Sequence, residues 1–142
     1  MLAISALRSA TAEARLGASV LASSQAFSHA QRGVMAALHY AGTQPENLSL
    51  DNPVVIPISQ PVSAGHSIDI EIVAGGSDAH CPVFTNGERQ HYEIYSTGVA
   101  GTGAVRTHVQ GFYICRELCT GDSCIATESS PVPSYWTVVE DA

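Results

Sequence analysis

The sequence predicts an α+β fold in which one long N-terminal helix packs on a four- to five-stranded antiparallel sheet. Residues 2–40 contain no proline and only two glycines, Gly17 and Gly33, and they are rich in alanine, the best helix former. Beyond Pro45, apolar and polar residues alternate with the period of two that is typical of strands. A chain of 142 residues is long enough for one modest core.

The helix is predicted to be too long for the sheet on which it packs. We expect it to span residues 1–42 and to end at Gly42 in a left-handed cap, with Pro45 shortly after. About 40 residues at 1.5 Å each span about 60 Å, whereas a compact domain of this size is about 30–35 Å across. The first part of residues 1–42 is therefore expected to protrude from residues 43–142, which form the globular sheet domain.

Two apolar faces are predicted on this helix from the spacing of its residues. One face is expected to pack on the sheet and contains Leu16, Val20, Phe27, Val34 and Leu38. The other is expected to face other subunits and contains Leu2, Ile4, Leu7, Ala10, Glu13, Ala14, Gly17 and Leu21. A protruding helix with small apolar residues needs lipid or other helices as partners. Glu13 and Arg15 are either solvated or paired with neighbouring subunits.

The strands are predicted from alternation and from the turn residues between them. Ser67–Val73 is the clearest, with Ile68, Ile70 and Ile72 inward. Val54–Ile58 follows Pro53 and contains Pro57, which indicates an edge strand. The other predicted strands are His91–Ser96, Ala104–Ile114 and Tyr135–Val139. Residues 74–90 are predicted to be a loop, and Gly98, Gly101 and Gly103 to form the turn of a hairpin.

Four cysteines, Cys81, Cys115, Cys119 and Cys124, favour a disulfide framework and an oxidising compartment. Three pairings are possible; in one of them Cys119 joins Cys124 and Cys81 joins Cys115. The alternative is a zinc site completed by histidines, but the spacings are not those of paired zinc knuckles, and we expect no cofactor. Because no secretory core is visible in the apolar start of the chain, we expect the native N-terminus to lie upstream.

Several function classes are disfavoured by composition and motifs. The formal net charge is −7 and the six basic residues are isolated arginines, so there is no basic stripe for nucleic acid. No nucleophile elbow, zinc-protease helix or paired-carboxylate signature occurs. His80 next to Cys81 is a weak candidate for a Cys/His site, since neighbours on a strand point to opposite faces. The sequence therefore predicts a protein that is not an enzyme.

Three segments resemble a known family. The run from Ser5-Ala6-Leu7-Arg8 through Glu13-Ala14-Arg15-Leu16 resembles the membrane-exit segment of PilX-type minor pilins of type IV pili. The segment Ala26–Val34 is similar to that family's Ala-Phe-x-Ala-Ala-Glu-x-Gly-Leu stretch. Tyr92-x-Ile94-x-Ser96-Thr97-Gly98 resembles its Tyr-x-Ile-x-Ser-x-Gly hairpin. Together these segments cover the helix and the hairpin, about half of the chain.

The resemblance implies a type IV pilin-like fold and a structural role, with residues 1–42 as a truncated membrane anchor and assembly stalk. Such a subunit is inserted in the bacterial inner membrane by its helix and is extracted into the pilus, where it helps to initiate assembly or presents a tip adhesin. Its partners would be other minor and major pilins, the inner membrane and possible tip adhesins. Two alternatives remain open from the sequence: a type II secretion pseudopilin, and a periplasmic thiol- or metal-dependent enzyme that uses Cys81 and the histidines.

Overall fold

A computed structural model of the chain has one long helix followed by a five-stranded antiparallel sheet. It describes residues 2–58, 62–101, 103–118 and 128–139, and only the backbone of Leu2. The elements are α1 (Leu2–Thr43), a 3-10 turn (Pro45–Asn47), β1 (Val54–Val55), β2 (Ser67–Asp78), β3 (Gly87–Val99), β4 (Val105–Glu117) and β5 (Val132–Val139). The predicted α+β class, with its helix before its strands, is confirmed.

The sheet is a simple meander in which each strand pairs with the next one in the chain. The spatial order is β1-β2-β3-β4-β5, and every pair is antiparallel. The hairpin of β3 and β4 is its centre, with continuous pairing from Gly87 and Glu117 to Val99 and Val105. The short β1 lies at one edge, as the flanking prolines predict, and β5 lies at the other.

Two predicted boundaries in the sheet are wrong. Much of the predicted loop at residues 74–90 is strand, because β2 continues to Asp78 and β3 begins at Gly87. An irregularity between Ala74 and Ser77 absorbs the two glycines there without ending the pairing. Gly98 lies within β3 rather than in the turn, where Gly103 alone of the three predicted glycines has a positive φ, +88°.

The main core lies between the second half of α1 and the inner face of the sheet. Ile68, Ile70 and Ile72 are buried, as their alternation predicts, while Asp69 and Glu71 are exposed. The Phe112 ring is fully buried and stacks on Tyr92 with ring centroids 5.2 Å apart. The buried cluster consists of Val34, Ala37, Ala41, Leu48, Ile56, Ile68, Ile70, Ile72, Tyr92, Ile94, Phe112 and Ile114.

The helix meets the sheet through small residues, which corrects part of the predicted helix-to-sheet face. Val34 is buried and Leu38 packs against the core, as predicted. Leu16 and Val20, however, are 67% and 69% exposed, and Phe27 is 36% exposed. Leu16 and Val20 lie before the first buried helical residue. The buried face of the helix is instead formed by Ala22, Ala26, Ala30, Val34, Ala37 and Ala41.

Two glycines explain why alanine and not leucine forms this face. A Cβ on Gly98 would lie 2.6 Å from the Ala30 nitrogen and 2.7 Å from the His29 Cβ, so the strand backbone touches the helix backbone there. A Cβ on Gly33 would lie 2.9 Å from Ile68 Cγ2. Larger side chains at these contacts would force the two layers apart.

The C-terminal end of α1 also differs from the prediction. Gly42 lies inside the helix and has no positive φ, so it is not a left-handed cap. The last turn ends one residue later, where the Gln44 N–H donates to the Tyr40 carbonyl at 2.8 Å and the Thr43 hydroxyl donates to the His39 carbonyl at 3.0 Å. The Gln44 N–H thereby satisfies one of the last four carbonyls of the helix, which have no partner within it.

Two polar contacts add to the apolar attachment of α1. The Arg106 guanidinium on β4 donates to the Ser23 hydroxyl at 2.7 Å. The ring nitrogens of His29 on α1 and His66 before β2 lie 3.0 Å apart. Burial, and then the nearby His66 and Arg32, lower the pKa of His29. A neutral His29 is therefore favoured where the helix meets this loop.

Candidate functional site: the projecting helix and an adjacent groove

The first half of α1 projects from the body of the protein. Every residue from 3 to 21 is exposed, and Ala22 is the first that is buried. These 19 positions extend about 28 Å along the helix axis. The predicted protrusion is therefore present, and the projecting segment, defined here as residues 3–21, makes no contribution to the core of the same molecule.

The projecting segment carries most of the predicted assembly face. Ile4, Leu7 and Leu21 are 62%, 71% and 59% exposed. Ala10, Glu13 and Ala14 are also exposed, nothing lies within 4 Å of a Cβ built on Gly17, and the side chain of Leu2 is outside the described residues. The misassigned Leu16 and Val20 belong to the same bare apolar surface. A folded protein rarely exposes so much contiguous apolar surface unless that surface binds a partner.

The charge of this segment differs in sign from that of the remaining chain. Residues 1–21 contain Arg8, Arg15 and Glu13, whereas the rest of the sequence contains four arginines and twelve acidic residues. The projecting helix of one copy and the body of another therefore carry formal charges of opposite sign.

A groove lies beside α1 along the edge strand β5. Its volume is about 500 Å³, and one wall is formed by Val34, Met35 and Leu38 of the helix. The other wall includes Pro133 and Trp136 of β5. Met35 and Trp136 are 67% and 68% exposed, although both are large apolar side chains. The groove is thus an apolar surface that the fold itself leaves open.

His108 on β4 contributes an unusual polar group to this groove. The residue is only 6% exposed, and its Nε2 has no hydrogen-bond partner among the described residues. The centroid of its ring lies 4.4 Å from the centroid of the Phe27 ring, in an edge-on arrangement, and 6.4 Å from that of the Trp136 ring. Burial lowers the pKa of His108, which favours the neutral ring. One nitrogen of this buried ring has no partner among the described residues.

The opposite face of the sheet carries polar clusters. Tyr95 and Tyr135 both donate hydrogen bonds to the Glu93 carboxylate, which lowers the pKa of Glu93 and raises that of Tyr135 to about 12. Nearby, the Asp78 carboxylate accepts from Arg89 at 2.9 Å and lies 2.8 Å from His91. In both clusters the side chains satisfy one another's hydrogen-bonding groups and join adjacent strands.

We expect the Asp78 cluster to make stability depend on pH in the acid range. Hydrogen bonds from Arg89, from His91 and from the His80 backbone hold the Asp78 pKa well below its ordinary 3.8. The stabilisation is present above that ordinary value and is lost as the pH falls through the lower folded-state pKa. Melting temperatures measured from about pH 6 to about pH 2 should fall less steeply for Asp78→Asn than for wild type. Equal slopes would contradict this, and Asp69→Asn, an exposed position on β2, is the control.

The cysteine and histidine residues do not assemble a catalytic or metal site in the described part of the chain. Cys81 is bonded to Cys115, with their Cα atoms 5.7 Å apart, so its sulfur is not a thiolate nucleophile. This bond belongs to one of the three pairings that the sequence left open, while Cys119 and Cys124 lie outside the described residues. Within the described ranges, no three His, Cys, Asp or Glu side chains group as metal ligands do.

Comparison of the chain with protein-family models, with curated proteins and with solved structures finds no match. Within the described ranges, α1 has no 18-residue stretch apolar enough to cross a bilayer.

Sequence reasoning missed the groove because its two walls are far apart in the chain. Trp136 carried a usable signal, since a tryptophan in an edge strand whose neighbour is also aromatic places one large ring on each face of the sheet. The unpartnered nitrogen of His108 carried none, because hydrogen bonding depends on tertiary contacts.

Proposed function

We propose that this chain is a structural subunit of a type IV pilus, a minor pilin of the PilX type with a type IV pilin-like fold. One observation carries the proposal: α1 extends about 28 Å beyond the sheet, and its large apolar side chains there are bare. A segment that adds nothing to the fold but exposes so much apolar surface is suited to binding other helices.

The division of α1 into two halves accounts for this role. The second half is fixed to the sheet by the alanine face and by the close approach at Gly98. The first half is free to pack among the helices of neighbouring pilins, with the inner membrane as its earlier environment. The sheet domain then lies in the periplasm before extraction and on the pilus surface afterwards. There it helps to initiate assembly or supports a tip adhesin.

The small residues of the projecting segment suit such packing. Ala10, Ala14 and Gly17 recur at intervals of four and three residues, so they lie along one side of the helix. Small side chains let helix backbones approach closely, which favours association in a bundle or in a membrane. Glu13 on the same side is an exposed carboxylate that can pair with a neighbouring subunit.

The test is incorporation into pili in the bacterium that encodes the chain. Sheared pili are analysed by mass spectrometry and immunogold labelling after replacement of the gene by wild type, Leu21→Glu or Leu50→Glu. These leucines are 59% and 61% exposed, one on the projecting segment and one on the body. We expect wild type and Leu50→Glu in the pilus fraction and about a tenfold loss for Leu21→Glu. Absence of the wild-type chain from pili, with normal piliation after gene deletion, would refute the proposal.

A further inference from the structure

The groove between α1 and β5 and the projecting segment are two bare apolar surfaces at different places on one molecule. The projecting segment cannot reach the groove of its own chain, because α1 is continuous from Leu2 to Thr43 and the groove is formed by its second half. Any contact between the two surfaces must therefore join two molecules.

We propose that the groove receives the projecting segment of a second copy of this chain. This deepens the proposed function by naming the surface of the body on which a neighbouring helix is seated. Because the two surfaces that meet are different, the contact is head-to-tail. A pair of molecules joined in this way still has one free groove and one free projecting segment. A contact of this kind propagates as an open filament unless its rotation closes a ring.

The helical wall of the groove is long enough for a partner helix to lie against it. Gln31, Met35 and Leu38 line the groove and follow one another at helical spacing. From Gln31 to Leu38 the helix rises about 10 Å. A partner helix of about two turns covers this length, and the projecting segment, at about 28 Å, exceeds it. Helices packed along each other in this way lie about 8–10 Å apart.

The chemistry of the projecting segment complements the groove. Its leucines and valine match the apolar walls formed by Met35 and Trp136. Ser5, Ser9 and Ser19 lie among those apolar residues and carry hydroxyls that can donate or accept. A hydroxyl from the incoming helix, admitted by movement of the exposed Trp136 or Met35 side chain, supplies the partner that the buried Nε2 of His108 lacks.

Charge also favours this occupant over an acidic or neutral peptide. The projecting segment has two arginines against one glutamate, and the rest of the chain has eight more acidic than basic residues. The helix and the body of a second copy therefore carry opposite formal charges, and such charges act over about 8 Å at physiological ionic strength.

Site-specific photo-crosslinking of the full chain tests the inference. p-Benzoylphenylalanine is placed at Met35 in the groove or, as control, at Val55 on the far edge strand; both native residues are about two-thirds exposed. Mixed ¹⁴N- and ¹⁵N-labelled protein distinguishes contacts between molecules from those within one. We expect the probe at Met35 to crosslink to residues 3–21 of another copy, and the probe at Val55 to give no such product.

Two variants show whether the product reflects the proposed contact. Leu16→Glu should reduce the crosslink from position 35 at least about tenfold, while Val55→Glu, at a position of similar exposure, should leave it unchanged. The imidazole ¹⁵N shifts of wild-type His108 should change with protein concentration only when the contact forms. His108→Phe removes the unpartnered nitrogen and identifies which imidazole signals belong to His108. Far-ultraviolet circular dichroism establishes that each variant is folded.

The outcomes separate this inference from the proposed function. Crosslinks from position 35 to β5 of a second copy, to any molecule other than this chain, or to nothing at millimolar concentration would overturn the groove contact. A chain found in pili whose groove crosslinks elsewhere would refute only the inference. A chain that self-associates through the groove but is absent from pili would refute only the pilin assignment.

Discussion

Gly98→Val should lower the free energy of unfolding by about 3 kcal/mol, at the upper end of what overpacking usually costs. Even a Cβ at this position would lie 2.6 Å from the Ala30 nitrogen. That neighbour is helix backbone, which cannot move aside as a side chain can. Valine adds two further methyl groups, so α1 and β3 must separate along the alanine face. Equilibrium unfolding in urea measures the loss.

Gly76→Val is the matched control for this substitution. Gly76 also lies in a strand, its φ is not positive, and nothing lies within 4 Å of a Cβ built there. Valine has a higher strand propensity than glycine, so the free energy of unfolding should be unchanged or slightly higher. A similar loss in both variants would mean that the close approach of α1 to β3 is not what holds the helix.

Replacing both Cys81 and Cys115 by alanine should cost about 3–4 kcal/mol. The bond joins residues 34 apart in sequence and ties the segment before β3 to the end of β4. Without it, the unfolded chain gains the entropy of an open loop of that length. Cys115 is fully buried, so alanine keeps the site apolar and limits the effect of lost packing. Urea unfolding of oxidised wild type and of the double variant measures the difference.

Reduction provides the control for the disulfide prediction. A thiol reductant should destabilise wild type toward the level of the double variant and should have a smaller effect on the double variant itself. If reductant destabilises both proteins equally, the stabilisation resides in other cysteines and the prediction is wrong.

The strands were predictable because their signal is local. Ile68, Ile70 and Ile72 alternate with acidic residues, and this alternation places one set against the core whatever the helix does. The prolines around Val54 similarly predicted an edge. The ends of β2 and β3 were not predictable, because Gly75 and Gly76 are typical of loops and only pairing with β3 keeps that segment in the sheet.

The buried face of α1 was predicted incorrectly in part, for a physical reason. Large apolar residues such as Leu16 and Val20 ordinarily mark the buried side of a helix. Here α1 is buried only from Ala22 onward, and its backbone approaches Gly98 so closely that alanine fills the interface. A glycine on a strand facing an alanine stripe would have been the signal, but their contact is set by tertiary structure.

The candidate site was half predictable. Length alone implied that the first part of α1 projects, because about 60 Å of helix exceeds the diameter of a domain of this size. The groove was not foreseen, since Met35 and Trp136 are 101 residues apart in sequence and line the same groove only when β5 takes its place at the edge of the sheet.

We propose that the projecting segment serves association between molecules and not folding. Comparing the full chain with residues 22–142 by urea unfolding and analytical ultracentrifugation tests it most directly. We predict free energies of unfolding that agree within about 0.5 kcal/mol, with concentration-dependent association only in the full chain. A truncated chain that loses several kcal/mol, or that associates as strongly as the full chain, would contradict the claim.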